Sequence, residues 1–255
     1  MLLALAATIC FAIVQLLARY FRRLTELPRS VWLSVAGGVT VAYVFVALLP
    51  ETEEHARRLE EAGVFSEAVL EQVGHPIYLL ALAGLLFFYG LERLALRGRS
   101  AKDEPEAVED EPGLEKGHDE PTGTFWIHVG TFTLYNAMIG YLLTDEEGYG
   151  LRQLLLYTLA MSLHLLVNDV GLRLHHRQLY DKFGRWMMAA APLVGFGLGA
   201  LAAVPAAMVS GMFGFLCGAT VLNTLKEELP EESQSRFWAF AGSAVLFSGL
   251  LTVAG

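Results

Sequence analysis

Three apolar stretches of this sequence carry side chains able to bind a cation or move a proton, in places where such groups are costly. One holds His128, Tyr135 and Asn136. A second holds His164, Asn168 and Asp169. A third holds Asn223 and ends on Lys226, Glu227 and Glu228. An ionisable or strongly polar group inside a lipid-spanning helix marks a functional site by default and faces the bundle interior. At helical spacing His164 and Asn168 share a face. Asp169 turns about 140° away from His164 at 100° per residue. There it would meet Asn136 or form an ion pair with Arg173, four residues on. The competing view is purely structural: Asn and His also bond across membrane helices for well under about 1 kcal/mol each. Taken together, the polar residues of the two stretches favour a lined pathway over isolated packing bonds.

Other chemistries lack their residues. There is no HExxH and no GxSxG, so neither a zinc protease nor a serine hydrolase is expected. Cys10 and Cys217 lie far apart in apolar runs, which suits packing rather than a disulfide or thiolate metal site. Basic residues form no groove with aromatics, so a nucleic-acid partner is not expected. The expected protein is not an enzyme.

The elements that must hold these residues are long apolar helices. The chain is 54% hydrophobic and 18% charged, with mean hydropathy +0.44. Apolar runs cover Leu2–Tyr20, Val31–Leu49, Ile77–Leu96, Phe125–Leu143, Leu154–Leu172, Trp186–Val204, Ala206–Leu225 and Phe237–Ala254. Each is about the length of one spanning helix. Of 18 Lys and Arg, 15 fall after the first, third, fifth and seventh runs, and only Arg57, Arg58 and Arg152 fall on the other side. The positive-inside rule then predicts an all-α polytopic bundle of eight spans with both termini outside the cytoplasm. The N-terminus lacks a basic leader region, so its first helix is expected to be retained.

The predicted organisation is three spans over 1–99, an acidic cytoplasmic linker over 100–122, and five spans over 123–255. The acidic segment Glu51–His75 would lie outside, with surface helix over Ala56–Leu70. The expected location is a bacterial inner (plasma) membrane, with the bilayer as partner. Gly37, Gly38, Gly195, Gly197, Gly199, Gly211 and the Gly214–Gly218 pair allow close helix approach, within the chain or in a homodimer. His175 and His176, beside Arg177, read first as a solvated helix end and second as a cytoplasmic cation site.

Ser34–Glu51 reads SVAGGVTVAYVFVALLPE, Ala191–Gly199 reads APLVGFGLG, and Lys226–Glu232 reads KEELPEE. These stretches resemble the ZIP family of divalent-metal transporters, whose second helix ends in a Leu-Leu-Pro-Glu-like corner. The eight helices, outside termini and long loop between the third and fourth helices also match the family. The resemblance implies import of a divalent cation of the zinc, iron or manganese class, with that cation as the bound group. The pathway would be formed by Asn136, His164, Asn168 and Asp169, with Tyr135, Asn223 and Glu228 as accessories. The family's fourth-helix motif His-Asn-x-x-Asp/Glu-Gly is here Tyr135-Asn136-Ala137-Met138-Ile139-Gly140. Its fifth-helix motif keeps His164 but has Val167 for the proline and Asn168 for the acid or His. Ala191 stands for a bridging Glu of the sixth helix, and the long loop holds only His118. Neutral amides are poor zinc ligands. The alternatives are therefore another substrate, a weaker site using Tyr135 and Asp169, or a ZIP-like membrane protein that binds or regulates without transporting metal.

Overall fold

The computed structural model describes residues 1–21, 31–100, 122–145, 150–202, 204–228 and 237–254; residues 101–121 of the expected linker lie outside these. The described residues are helices joined by short turns, with no strand among them. The main helices are α1 (Leu2–Leu17), α2 (Val31–Glu61), α3 (Ile77–Ser100), α4 (Thr122–Leu142), α5 (Leu151–His175), α6 (Arg185–Leu201), α7 (Ala206–Asn223) and α8 (Phe237–Ala254).

Four of them contain a stretch long and apolar enough to cross a membrane: Val31–Glu61, Ile77–Leu94, Leu151–Arg173 and Ala206–Lys226. Leu2–Leu17 and Phe237–Val253 are shorter apolar helices. The surface agrees with a bilayer environment. Val245, Leu246 and Trp238 are 74%, 68% and 84% exposed, while His164, Asp169, Thr40 and Thr52 are fully buried. Apolar side chains outside and polar ones inside suit lipid as the solvent, since water-soluble monomers seldom expose broad apolar surface. This is a helical membrane bundle. α4 owes its lower hydropathy to the His, Asn, Tyr and Thr residues it carries.

Helix α2 departs from the expected end at Leu49. It runs on without a break to Glu61, and only Glu67–Val73 forms a separate surface helix. Pro50 has no N–H and cannot continue the ordinary bonding pattern. The helix absorbs this with one wide turn over Val44–Leu48, in which the Leu49 N–H reaches the Val44 carbonyl five residues back. The extension beyond Pro50 packs Ala56 and Leu59 against Ile77, Leu80 and Ala207.

The helix pairings repeat. α3 packs on α7 as α2 packs on α8, and α4 packs on α6 as α1 packs on α5. Exchanging α1–α3 with α6–α8, and α4 with α5, turns each of these pairs into another. The repeat reaches single residues. A Cβ on Gly38 would strike the Phe240 carbonyl of α8, and one on Gly218 would strike the Ala81 carbonyl of α3. The same spacing separates Gly38 from Gly218, Thr40 from Thr220, and Pro50 from Pro230. The wide turn of α2 also has its counterpart, at Thr224–Glu228 after α7.

Small residues thus serve contacts within the chain. Gly140 of α4 meets the Pro192 carbonyl of α6, and Gly195 of α6 meets the Ala137 carbonyl of α4. The described pairings gather α1, α4, α5 and α6 into one group and α2, α3, α7 and α8 into another.

Candidate functional site

The two groups of helices meet at a buried polar cluster. α4 contributes Tyr135, α5 contributes His164 and Asn168, and α7 contributes Thr220. The four are at most 3% exposed. The Tyr135 hydroxyl lies 2.9 Å from His164 Nε2 and 2.7 Å from Thr220 Oγ1. The Asn168 amide nitrogen lies 3.1 Å from the same Nε2. Thr220 donates to the Leu216 carbonyl at 2.9 Å, as hydroxyls inside helices commonly do. Phe88 of α3 closes the cluster with its ring 5.6 Å from that of Tyr135.

A single ring nitrogen offers one hydrogen-bonding direction, so Tyr135 and Asn168 compete for Nε2. Each hydroxyl can both give and accept a proton. If Thr220 donates only to its own helix, Tyr135 donates to Thr220 and its oxygen receives the Nε2 proton of His164. With the chain reversed, Tyr135 donates to Nε2. Such a cluster can exchange its internal bonds for those of a polar solute or cation arriving at the boundary between the helix groups. Its donors there are an imidazole, a phenol, an amide and a hydroxyl, with no carboxylate among them.

The other predicted residues go elsewhere. Asn136 faces α1, where its Oδ1 accepts from Gln15 Nε2 at 2.6 Å, and its Nδ2 donates to the Phe132 carbonyl. Asp169 meets neither Asn136 nor Arg173. Arg173 instead clamps Asp181 through two bonds of 2.7 and 2.9 Å. The carboxylate of Asp169 faces the Tyr180 hydroxyl, yet neither group makes a hydrogen bond of normal length among the described residues. The reason is a turn of the chain after α5: Tyr180–Gly184 forms a wide helical turn that swings Tyr180 and Asp181 back toward α5. Asn223 is buried, with no partner for its amide nitrogen among the described residues. The side chains of Glu228 and His175 lie outside the described residues. His176 pairs with His128 of α4, Nε2 to Nδ1, at 3.1 Å.

Gln15, Thr220, Tyr180 and His55 escaped the sequence reading. Gln15 offered a signal, as the one amide side chain inside the first apolar run. His55 sat in what looked like an acidic loop. In the structure it is buried on the α2 extension, bonded to Ser210 at 3.0 Å and stacked on Phe213 of α7 at 4.0 Å. Arg58, one turn on, bonds Asp145 beyond α4 at 3.0 Å and so ties the two helix groups together.

Outside the spans, Arg173 beside Asp181 holds that carboxyl below the usual carboxylate range. A lowered folded value contributes stability above the unfolded pKa, and that contribution is lost as pH falls through the folded value. Melting temperature in detergent should therefore drop on acidification below the ordinary carboxylate range. Arg173→Gln should shrink the part of the drop due to Asp181; an identical acid limb in that variant would refute the assignment.

No protein-family model, curated protein or solved structure matches this chain. Among the described residues, no group of three or more His, Cys, Asp and Glu lies close enough to hold a metal ion.

Proposed function

We propose that this chain is a membrane carrier of ZIP-like architecture that conveys a divalent metal cation toward the cytoplasm. In this reading it crosses the bilayer eight times, with both termini outside. The observation that carries the proposal is the repeat. A wide turn replaces regular helical bonding at matching positions, Val44–Leu48 in α2 and Thr224–Glu228 after α7, and α2 and α7 frame the polar residues of α4 and α5. Local irregularity at matching helix positions of two repeats is a feature from which alternating-access carriers build a binding site. With eight spans the repeated units run in opposite senses across the bilayer, as inversion requires. The division of 15 basic residues against 3 supports the orientation.

The cation would be cargo, met by His164, Tyr135, Asn168 and Thr220. Imidazole suits zinc, iron and related ions, while neutral oxygens hold them loosely enough for release. The acidic stretch from Glu51 to Glu71 would raise the local cation concentration at the outer mouth.

A second reading has an observation of its own. The lack of a three-ligand group among the described residues favours a ZIP-like protein that carries another solute or binds a partner without moving metal. Uptake by proteoliposomes separates the two. Carriage predicts saturable uptake of zinc, iron, manganese or cobalt that His164→Ala abolishes. Folded protein that moves none of them refutes divalent transport and leaves the second reading.

A further inference from the structure

A second pair of nitrogen ligands lies away from the central cluster. At the N-terminal end of α4, His128 Nδ1 stands 3.1 Å from His176 Nε2, just past the C-terminal end of α5. His128 is seven residues before Tyr135, so it occupies the same face of α4 about 10 Å along the axis, at 1.5 Å per residue. His176 reaches it because the chain leaves helical geometry there, with φ −136° and ψ 45°. Departure from the helix turns the ring toward α4 rather than outward, and His176 is only 5% exposed.

The surroundings orient the pair. The rings cross at 67° with centroids 5.4 Å apart. Phe125 meets His176 edge-on at 5.5 Å. Phe125 also belongs to the small core of Val129, Leu172, Tyr180 and Met188. Arg173 of α5 is occupied by Asp181, while Arg177 directly follows His176 in the chain. Two imidazoles on one tetrahedral zinc, with Zn–N of about 2.0–2.1 Å, have nitrogens about 3.3 Å apart. The observed separation is within a few tenths of an ångström of that, and because the metal sits off the line between the nitrogens, each ring need only tilt by about 35° to aim its lone pair at it.

We infer that His128 and His176 form a two-imidazole site for a borderline divalent metal ion, separate from the His164 cluster. The chemistry selects zinc, cobalt, nickel or copper over magnesium or calcium, which prefer oxygen. On binding, the proton between the rings moves to the far nitrogen of the ring that carried it or is released to solvent, and water supplies the ligands the two imidazoles do not. Such a site stands whether or not the central cluster conveys a cation. If it does, the same face of α4 links the two.

Cobalt titrated into the purified full chain in detergent, followed by visible absorption and calorimetry, tests this. A saturable site that needs both His128 and His176 is expected, beside any binding at the His164 cluster. His128→Gln and His176→Gln should each weaken it by more than about tenfold, the loss that even an outer-shell partner can produce. Tyr135→Phe, which touches only the central cluster, should leave it intact. Glutamine keeps hydrogen-bonding capacity, and melting curves report whether each variant is folded. No saturable cobalt binding by folded wild-type protein, unchanged affinity in either glutamine variant, or loss in Tyr135→Phe would each overturn the assignment. Cobalt binding without flux in liposomes would leave this site standing and remove only the carrier reading.

Discussion

Gly218→Ala is expected to destabilise the protein by about 3 kcal/mol or more, as is its repeat counterpart Gly38→Ala. One methyl group has this effect because of what it meets. A Cβ at Gly218 would strike the Ala81 carbonyl, and one at Gly38 the Phe240 carbonyl. A backbone oxygen cannot rotate aside as a side chain can, so α7 must back away from α3, or α2 from α8. Overpacking a core costs about 1–3 kcal/mol, and separating whole helices lies at or beyond the upper end. Gly195→Ala against Ala137 and Gly140→Ala against Pro192 belong to the same class. Gly130 and Gly197 are the internal controls, since a Cβ there meets nothing within 4 Å. Alanine at those positions should be neutral or gain up to about 1 kcal/mol from helix propensity. Thermal or SDS-induced unfolding of the six variants gives the ranking. If Gly218→Ala melted like Gly130→Ala, the close crossing of α3 and α7 would be wrong.

His164→Ala should cost about 2–4 kcal/mol. The substitution opens a cavity and leaves the Tyr135 phenol and Asn168 amide without the ring that joins them. A buried polar group stranded this way loses about 1–3 kcal/mol. Tyr135→Phe should cost less, about 0.5–1.5 kcal/mol, because hydrogen bonds between membrane helices average about 0.6 kcal/mol and the ring is kept. The two effects should not add: once His164 is gone, part of what the Tyr135 hydroxyl did is already lost. A double-mutant cycle on unfolding free energies measures this. Additive effects would mean that the 2.9 Å contact contributes nothing, and the cluster would then be ordinary packing.

The membrane-protein character was legible in the sequence because lipid is a uniform solvent. Each long apolar run must form a helix whatever its neighbours do, so the starts of α2, α3, α7 and α8 fall where the hydropathy places them. The His164–Asn168 contact was legible for a similar reason: four-residue spacing on one helix is local geometry. The end of α2 was not. Pro50 and the acidic run after it read as a boundary, but a single wide turn let the helix continue, and packing on α3 and α7 supports the extension.

The polar partners lay still further from view. Asn136 bonds Gln15 and not His164, because contact across helices depends on which face each one turns toward the bundle. Arg173 chooses Asp181 over Asp169 because the turn at Tyr180–Gly184 brings a better-placed carboxylate to it. His128 and His176, 48 residues apart, meet only through the folding of α4 against the end of α5. Composition and periodicity determine which segments lipid surrounds and which side chains it will not solvate. Only the tertiary structure decides where those side chains go, because several partners satisfy the same hydrogen-bonding need and the crossing of the helices selects among them.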